Sequence, residues 1–253
     1  MQYIKNFIKH SPLYGVIKWF RIRKEAVIWT DHDQKMLEFY SQFISHDALC
    51  FDVGANIGNR VKIFLKLRAN VIAIEPQNDC VNILRTGYGN NKQLTIVQKA
   101  LGESAGAAEI MISNSNSISS LSPEWVESVR KSGRFSEYSW DMKQTVPVTT
   151  LDSLIKHYGV PSFIKIDVEG FEYQVIKGLS QPVKSLSLEF TPEFIESTFK
   201  CIDHLQRLGD IRLNYSMGET MRLVLAEWVA PQEMINILSD LRDVGDLYVR
   251  FPL

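Results

Sequence analysis

The sequence predicts a doubly wound, mostly parallel α/β sheet with an N-terminal helical extension. Three observations carry this. Short, largely apolar runs recur at 48–53, 71–74, 162–166 and 186–188, and such runs suit strands buried on both faces of a parallel sheet. Stretches of helical period separate them, so the crossovers are long enough for parallel neighbours. The first run enters its helix through a turn bounded by Gly54 and Gly58, and an acid, Glu75, ends the next run about 20 residues further on.

Each element follows in order. Residues 33–44 read as a helix with Met36, Leu37, Tyr40 and Ile44 on one side. Strand 48–53 leads to helix 57–68, strand 71–74, a helix at 78–84 closed by Gly87 and Gly89, a strand at 94–99 and a short extra strand at 108–112. Residues 113–143 change character: Asn114, Ser115, Asn116, Ser117, Ser119 and Ser120 are turn-prone, and Pro123 opens a short helix to Lys131. A segment this long between elements is expected to be a lid or substrate loop. Strand 146–149, a helix from Leu151 to near Gly159, strand 162–166 and a helix at 171–177 stopped by Gly178 come next. A strand ending in Glu189, an amphipathic helix at 192–208, strands at 212–216 and 223–227, a helix opened by Pro231 and a strand at 247–251 complete the chain. Residues 1–45 form the extension and 46–253 one domain.

With 253 residues, 45% of them hydrophobic and 23% charged, the chain can build a sizeable core. A formal net charge of −1 gives no global electrostatic case for nucleic acid. Cys50, Cys80 and Cys201 have neither metal spacing nor a disulfide pattern, which fits a reducing, cytoplasmic setting. No apolar stretch approaches the roughly 20 residues of a membrane span, and no signal-peptide pattern opens the chain. The first thirty residues are basic (Lys5, Lys9, Lys18, Arg21, Arg23 and Lys24 against Glu25), with apolar residues at helical spacing. They are expected to pack on the domain; the other reading is a peripheral membrane contact.

The loop Gly54-Ala55-Asn56-Ile57-Gly58 departs from the Gly-x-Gly-x-x-Gly of dinucleotide sites: Ala55 and Asn56 stand where a pyrophosphate needs close backbone approach. It therefore suits an adenosine ligand without a pyrophosphate, of which S-adenosylmethionine is one. Asp52 would receive its ammonium directly or through water, and Asn56 and Asn59 its carboxylate or amine. Glu75 would accept from two ribose hydroxyls, with Pro76 and Gln77 just beyond, and Gln77 near adenine. Ala100 and Leu101 would lie against the adenine ring. In Lys165-Ile166-Asp167-Val168-Glu169-Gly170, Asp167 and Glu169 sit at another strand end, and Glu189 at the next. These acids could hold the methyl donor or an acceptor hydroxyl, and one of them take its proton. Glu172 reads as a solvated helix residue. A divalent cation on Asp167, Glu169 and Glu189 is the less favoured reading. The five histidines do not cluster, and no Gly-x-Ser-x-Gly elbow indicates a serine hydrolase.

Together, Phe51-Asp52-Val53-Gly54-Ala55-Asn56-Ile57-Gly58-Asn59, Val71-Ile72-Ala73-Ile74-Glu75-Pro76, Val148-Thr149-Thr150-Leu151-Asp152-Ser153-Leu154, Ile164 to Glu172 and Ser187-Leu188-Glu189 resemble the FkbM family of S-adenosylmethionine-dependent methyltransferases over residues 48–190. The resemblance implies a class I (Rossmann-like) methyltransferase fold and methyl transfer to a hydroxyl of a sugar, glycan or natural product. The rivals are an inactive methyltransferase-like binding module, an N-methyltransferase and an NAD-dependent oxidoreductase. The intact loop and acids disfavour the first. The absence of an Asn/Asp-Pro-Pro-aromatic motif disfavours the second, and the absence of Gly-x-Gly-x-x-Gly the third. Residues 1–45 and 113–143 match no motif and are expected to select the acceptor.

Overall fold

The computed structural model describes residues 28–115 and 118–252. In chain order its first half comprises α1 (Asp31–Tyr40), β1 (Leu49–Val53), α2 (Asn59–Lys66), β2 (Asn70–Ile74), α3 (Asn78–Tyr88), β3 (Leu94–Val97), β4 (Ala100–Leu101), β5 (Gly106–Ile112) and α4 (Pro123–Ser132). Then come β6 (Met142–Thr149), α5 (Leu151–Tyr158), β7 (Phe163–Ile166), α6 (Glu172–Lys177), β8 (Ser185–Phe190), a 3₁₀ turn (Pro192–Phe194), α7 (Ile195–Leu208), β9 (Arg212–Met217), α8 (Pro231–Asp240) and β10 (Gly245–Arg250).

Seven strands form the central sheet in the order β3-β2-β1-β7-β8-β10-β9. All pair in parallel except β10, which runs antiparallel to both β8 and β9. The strand order reverses at β1 and β7, and a ligand crevice opens beyond the carboxyl ends of strands at such a switch point. Alternation along the strands feeds two cores. Phe51, Val53, Ile72, Ile74, Ile164 and Ile166 face α5–α8. Cys50, Val71, Ala73 and Phe163 face α1–α3. Phe43 stacks on Phe163 and Tyr248 at 5.3 and 5.2 Å between centroids, so the described part of the extension belongs to this second core. Thr30 and Asp33 close α1 with a reciprocal capping box. The basic residues expected to pack on the domain or touch a membrane, Lys5 to Lys24, lie outside the described residues.

Several boundaries differ from the sequence expectation. The helix after β2 runs through Gly87 to Tyr88, with Gly89 as its cap. The start of 192–208 is a 3₁₀ turn rather than α-helix. Residues 223–227 form no strand. The Asn214 side chain satisfies their backbone instead, its amide donating to the Leu225 carbonyl at 2.9 Å and its oxygen accepting from the Leu225 N–H at 3.1 Å. With one backbone bond, from the Val224 N–H to the Tyr215 carbonyl at 2.8 Å, this side chain stands in for a ladder, which alternation of residues cannot signal.

Residues 113–141 are not an open loop. They hang from an antiparallel β5–β6 pair, which joins β4 in a separate three-stranded sheet. Ile118, Trp125, Val126, Val129 and Trp140 give the insertion a core of its own. Ser122 caps α4, and Pro123 fills the first helical position.

Candidate functional site

The β1–α2 loop is shaped by what its backbone touches. Gly54 has φ +81°, and a Cβ there would stand 1.8 Å from the Asp167 carbonyl oxygen, so only a hydrogen fits. Asn56 also has positive φ, 48°. It is held there by its N–H, which donates to Glu75 Oε2 at 2.8 Å, while the Gln77 N–H donates to Glu75 Oε1 at 2.8 Å. The Glu75 carboxylate at the end of β2 therefore splices two loops. Burial pushes it up to about 7, against the pull of bonds from the Gln77 backbone, Asn56 and the Gln77 side chain.

A cleft opens beside this carboxylate. Gly54, Asn56, Glu75, Pro76, Gln77, Ala100, Leu101, Asp167 and Glu169 all line it, as the sequence anticipated. Asp52, Ala55, Gly58 and Asn59 do not. Gly58 starts α2 in the left-handed region, packed on the Tyr88 ring, and Asn59 is exposed. Asp52 is buried beneath the loop on the α1–α3 face, and its Oδ2 has no hydrogen-bond partner among the described residues. Burial raises Asp52 to about 7, opposed by Arg60 and Lys165. Lys99, Ile110, Ser119, Leu121 and Phe171 line the cleft without having been anticipated. Ser119 and Leu121 come from the motif-free insertion, whereas Phe171 lay inside a recognised motif and its position after Gly170 was the available signal. The free cavity volume is about 50 Å³, well below the ~300–1,000 Å³ of most ligand sites. Admission of a nucleoside therefore requires walls such as Leu121 and Phe171 to part.

The second cluster follows β7. Glu169 and Gly170 have φ of 54° and 86°, and a Cβ on Gly170 would meet the Trp125 ring at 2.2 Å. The Ser120 hydroxyl donates to the Glu169 carbonyl at 2.5 Å, so the insertion docks on this turn. Glu172 is buried rather than solvated: Oε1 accepts from the Val168 and Gly170 N–H groups, each at 3.2 Å. A short turn leaves those donors orphaned, and a carboxylate at the start of α6 is the nearest group that can satisfy them.

Lys165, in register with Asp52 on β1, is fully buried and paired with Asp246 Oδ1 at 2.7 Å and Asp167 Oδ2 at 3.3 Å. Burial would lower its pKa, but Asp167 and Asp246 outweigh it and hold the ammonium charged. Lys165 thus ties Asp167 to Asp246 across the sheet. One oxygen each of Asp167, Glu169 and Glu189 lie within 4.8 Å of one another. Burial, then Asp167, raises Glu169 well above the carboxylate range. Burial, then Glu169, does the same to Glu189. Such a group can share protons between its members or surround an oxygen-seeking cation.

A larger cleft, about 520 Å³, adjoins the first across Phe171, between the starts of α4, α6 and α7. Gly170, Phe194 and Ser197 line both it and a narrow cavity that reaches Glu189.

A family model for the methyltransferase FkbM domain matches residues 52–240. The chain belongs to that family. The match extends past Glu189, the end of the last motif in the sequence, through β9 and α8. Among related FkbM and other methyltransferases, the hexuronic acid methyltransferase AglP of Haloferax volcanii is 26% identical over 183 residues, 70% of each chain. The methyltransferase sdnD of Sordaria araneosa is 28% identical over 179 residues, 61% of this chain and 67% of that one. A putative O-methyltransferase structure from Klebsiella pneumoniae overlays all of this chain and 95% of that one at TM-score 0.47 and 8% identity. A likeness so remote leaves the family match and the sheet order to define this FkbM protein as a class I methyltransferase fold.

Proposed function

We propose that this FkbM methyltransferase takes its methyl group from S-adenosylmethionine and delivers it to a hydroxyl of a sugar or related natural product. The observation that carries the reading is the convergence at one sheet edge of a buried, backbone-tethered acid, Glu75, with three facing carboxylates at the ends of β7 and β8. The residues fit the donor. Gly54 and Asn56 line the cleft at the β1 loop, Asp52 Oδ2 is a buried acceptor under that loop with no partner among the described residues, and Ala100 and Leu101 form an apolar wall. When bound, S-adenosylmethionine would supply an electrophilic methyl on a sulfonium, which an acceptor oxygen would take as the carbon–sulfur bond breaks and S-adenosylhomocysteine leaves.

The protein's own part is binding, orientation and proton handling. The two backbone bonds leave the Glu75 carboxylate about two acceptor sites, enough for a ribose diol once the Gln77 amide yields. Asn56, at the cleft wall, faces the methionine end, and Asp52 lies beneath the loop as a buried carboxyl group. Asp167, held by Lys165, orients the acceptor hydroxyl. An ionised member of the Glu169–Glu189 pair takes its proton as the C–O bond forms, and general-base help of this kind is worth about 10² to 10⁴ in rate. The crowding that raises the pair strengthens whichever member is ionised as a base.

Oxygen rather than nitrogen as acceptor atom is supported by the acidic Asp167-Val168-Glu169-Gly170 turn, which lacks the prolines of an amine-binding loop, and by the sugar-acid substrate in the archaeal relative's name. The test is calorimetric. S-adenosylmethionine should bind the wild-type chain and bind Glu75→Ala far more weakly. Equal affinity in the two proteins would refute the donor site.

A further inference from the structure

We infer that the larger cleft is the acceptor subsite and that it takes an uncharged, polyhydroxylated sugar in preference to an anionic one. The inference rests on the donor-site reading above and adds the location and charge of the acceptor.

Position comes first. The cleft shares Phe171 with the donor cleft, and through Gly170, Phe194 and Ser197 it meets the cavity that reaches Glu189. The three-carboxylate group therefore stands between the two clefts, where an acceptor hydroxyl and a donor methyl would meet. Size comes second: about 520 Å³ is ample for a sugar ring, within the ~300–1,000 Å³ of small-molecule sites. Surface chemistry comes third. Phe171, Tyr173 and Phe194 offer flat apolar faces for ring C–H groups, and Gln174 and Ser197 offer hydrogen bonds for hydroxyl edges.

Charge decides the class. Three carboxylates, Glu124, Glu193 and Glu196, line the cleft against one ammonium, Lys200. Arg134 neutralises Glu193 at 2.7 Å. Lys200 is already directed over the Tyr173 ring, 6.0 Å from its centroid. Glu124 and Glu196 are exposed and have no ion-pair partner among the described residues. Beyond them wait Asp167, Glu169 and Glu189. A carboxylate or phosphate on the acceptor would meet like charge from the unpaired Glu124 and Glu196, whereas hydroxyls find oxygen acceptors there and on the carboxyl groups beyond. The acceptor inferred here thus differs from the hexuronic acid in the archaeal relative's name.

The test compares two ligands that differ only at C6, methyl β-glucopyranoside and methyl β-glucopyranosiduronate. Binding to the full chain saturated with S-adenosylhomocysteine is read by ligand-observed NMR titration. The glucoside should bind about tenfold or more tightly than the glucuronide. Equal or tighter glucuronide binding, or no binding of either sugar, overturns the inference. Glu124→Gln combined with Glu196→Gln, both on the exposed surface, should narrow the gap by strengthening the glucuronide alone; an unchanged ratio also overturns it. Ser197→Trp, which fills the cleft, should abolish the glucoside signal and leave S-adenosylmethionine affinity intact; a surviving glucoside signal would put the sugar elsewhere. Failure of the wild-type chain to bind S-adenosylmethionine by calorimetry sinks the donor site itself. Normal cofactor binding with a failed sugar comparison sinks only the acceptor assignment.

Discussion

Glu75 and Glu189 occupy similar places, one at the end of β2 and one near the end of β8, and burial raises the pKa of both. Their partners differ. Each Glu75 oxygen accepts a backbone N–H, so the carboxylate is fixed in place and its environment partly restores its charge. Glu189 faces Glu169 and Asp167, and Lys165 offsets part of the crowding. Tethering makes the first acid a positioner. Mutual repulsion makes the second a group whose protonation can change during a reaction. Identical side chains acquire different work from the donors or acceptors around them.

The comparison can be broken from its catalytic side first. Replacing Glu169 and Glu189 together by Gln should lower turnover by about 10² to 10⁴, with S-adenosylmethionine affinity largely kept, in a labelled-methyl transfer assay. Equal loss of affinity and turnover would make both acids binders like Glu75. Next in size, Glu75→Ala should weaken cofactor binding about 100-fold, since charged hydrogen bonds are each worth about 1.5–3 kcal/mol, and should lower Tm by orphaning two N–H groups. A variant that loses neither would show the tether to be idle. Gly170→Ala must place a methyl 2.2 Å from Trp125 at φ +86°, a strain of about 1–3 kcal/mol or more. It should loosen the insertion, seen as faster hydrogen exchange across 118–132, while donor binding changes less than in Glu75→Ala.

The pH predictions are smaller and have opposite signs. Turnover should climb with pH through the raised range of the Glu169–Glu189 pair, because the working base must be ionised. Glu169→Gln removes a like charge and should move that limb to lower pH. Stability should do the reverse. Asp52, Glu75 and Glu172 lie at about 7 in the folded chain, above their ordinary values of 3.8, 4.5 and 4.5. The native state thus holds protons that the unfolded chain releases. Their contribution is present below about pH 4.5 and lost as pH rises through about 7. Thermal unfolding should therefore occur at a higher Tm near pH 5.5 than near pH 8, and Glu172→Gln should flatten that difference.

The same contrast explains what could be read from residue order. The β1 loop, Glu75 and the turn after β7 were legible because backbone geometry dictates their residues: glycines where φ is positive or carbonyls press close, acids where strands end. The sheet and nearly all its strands followed from apolar runs. What stayed hidden depends on contacts across the chain. Asp52 has the residue type of a ligand contact but points to the face opposite that expected of a cleft wall, paired in register with Lys165. Glu172 looked solvated because its partners, the Val168 and Gly170 N–H groups, exist only once the turn has formed. Ser119 and Leu121 reach the cleft through an insertion whose fold is set by Trp125 and Trp140, and no periodicity announces that. The larger cleft joins three helix starts far apart in sequence.

Gly54, finally, lets the β1 loop rest directly on the backbone of Asp167. That contact contains no side chain, yet it makes the two loops one jaw. Any side chain at position 54 would have to drive the two loops apart, so the spacing between the donor loop and the Asp167 turn is set by the width of a single hydrogen atom.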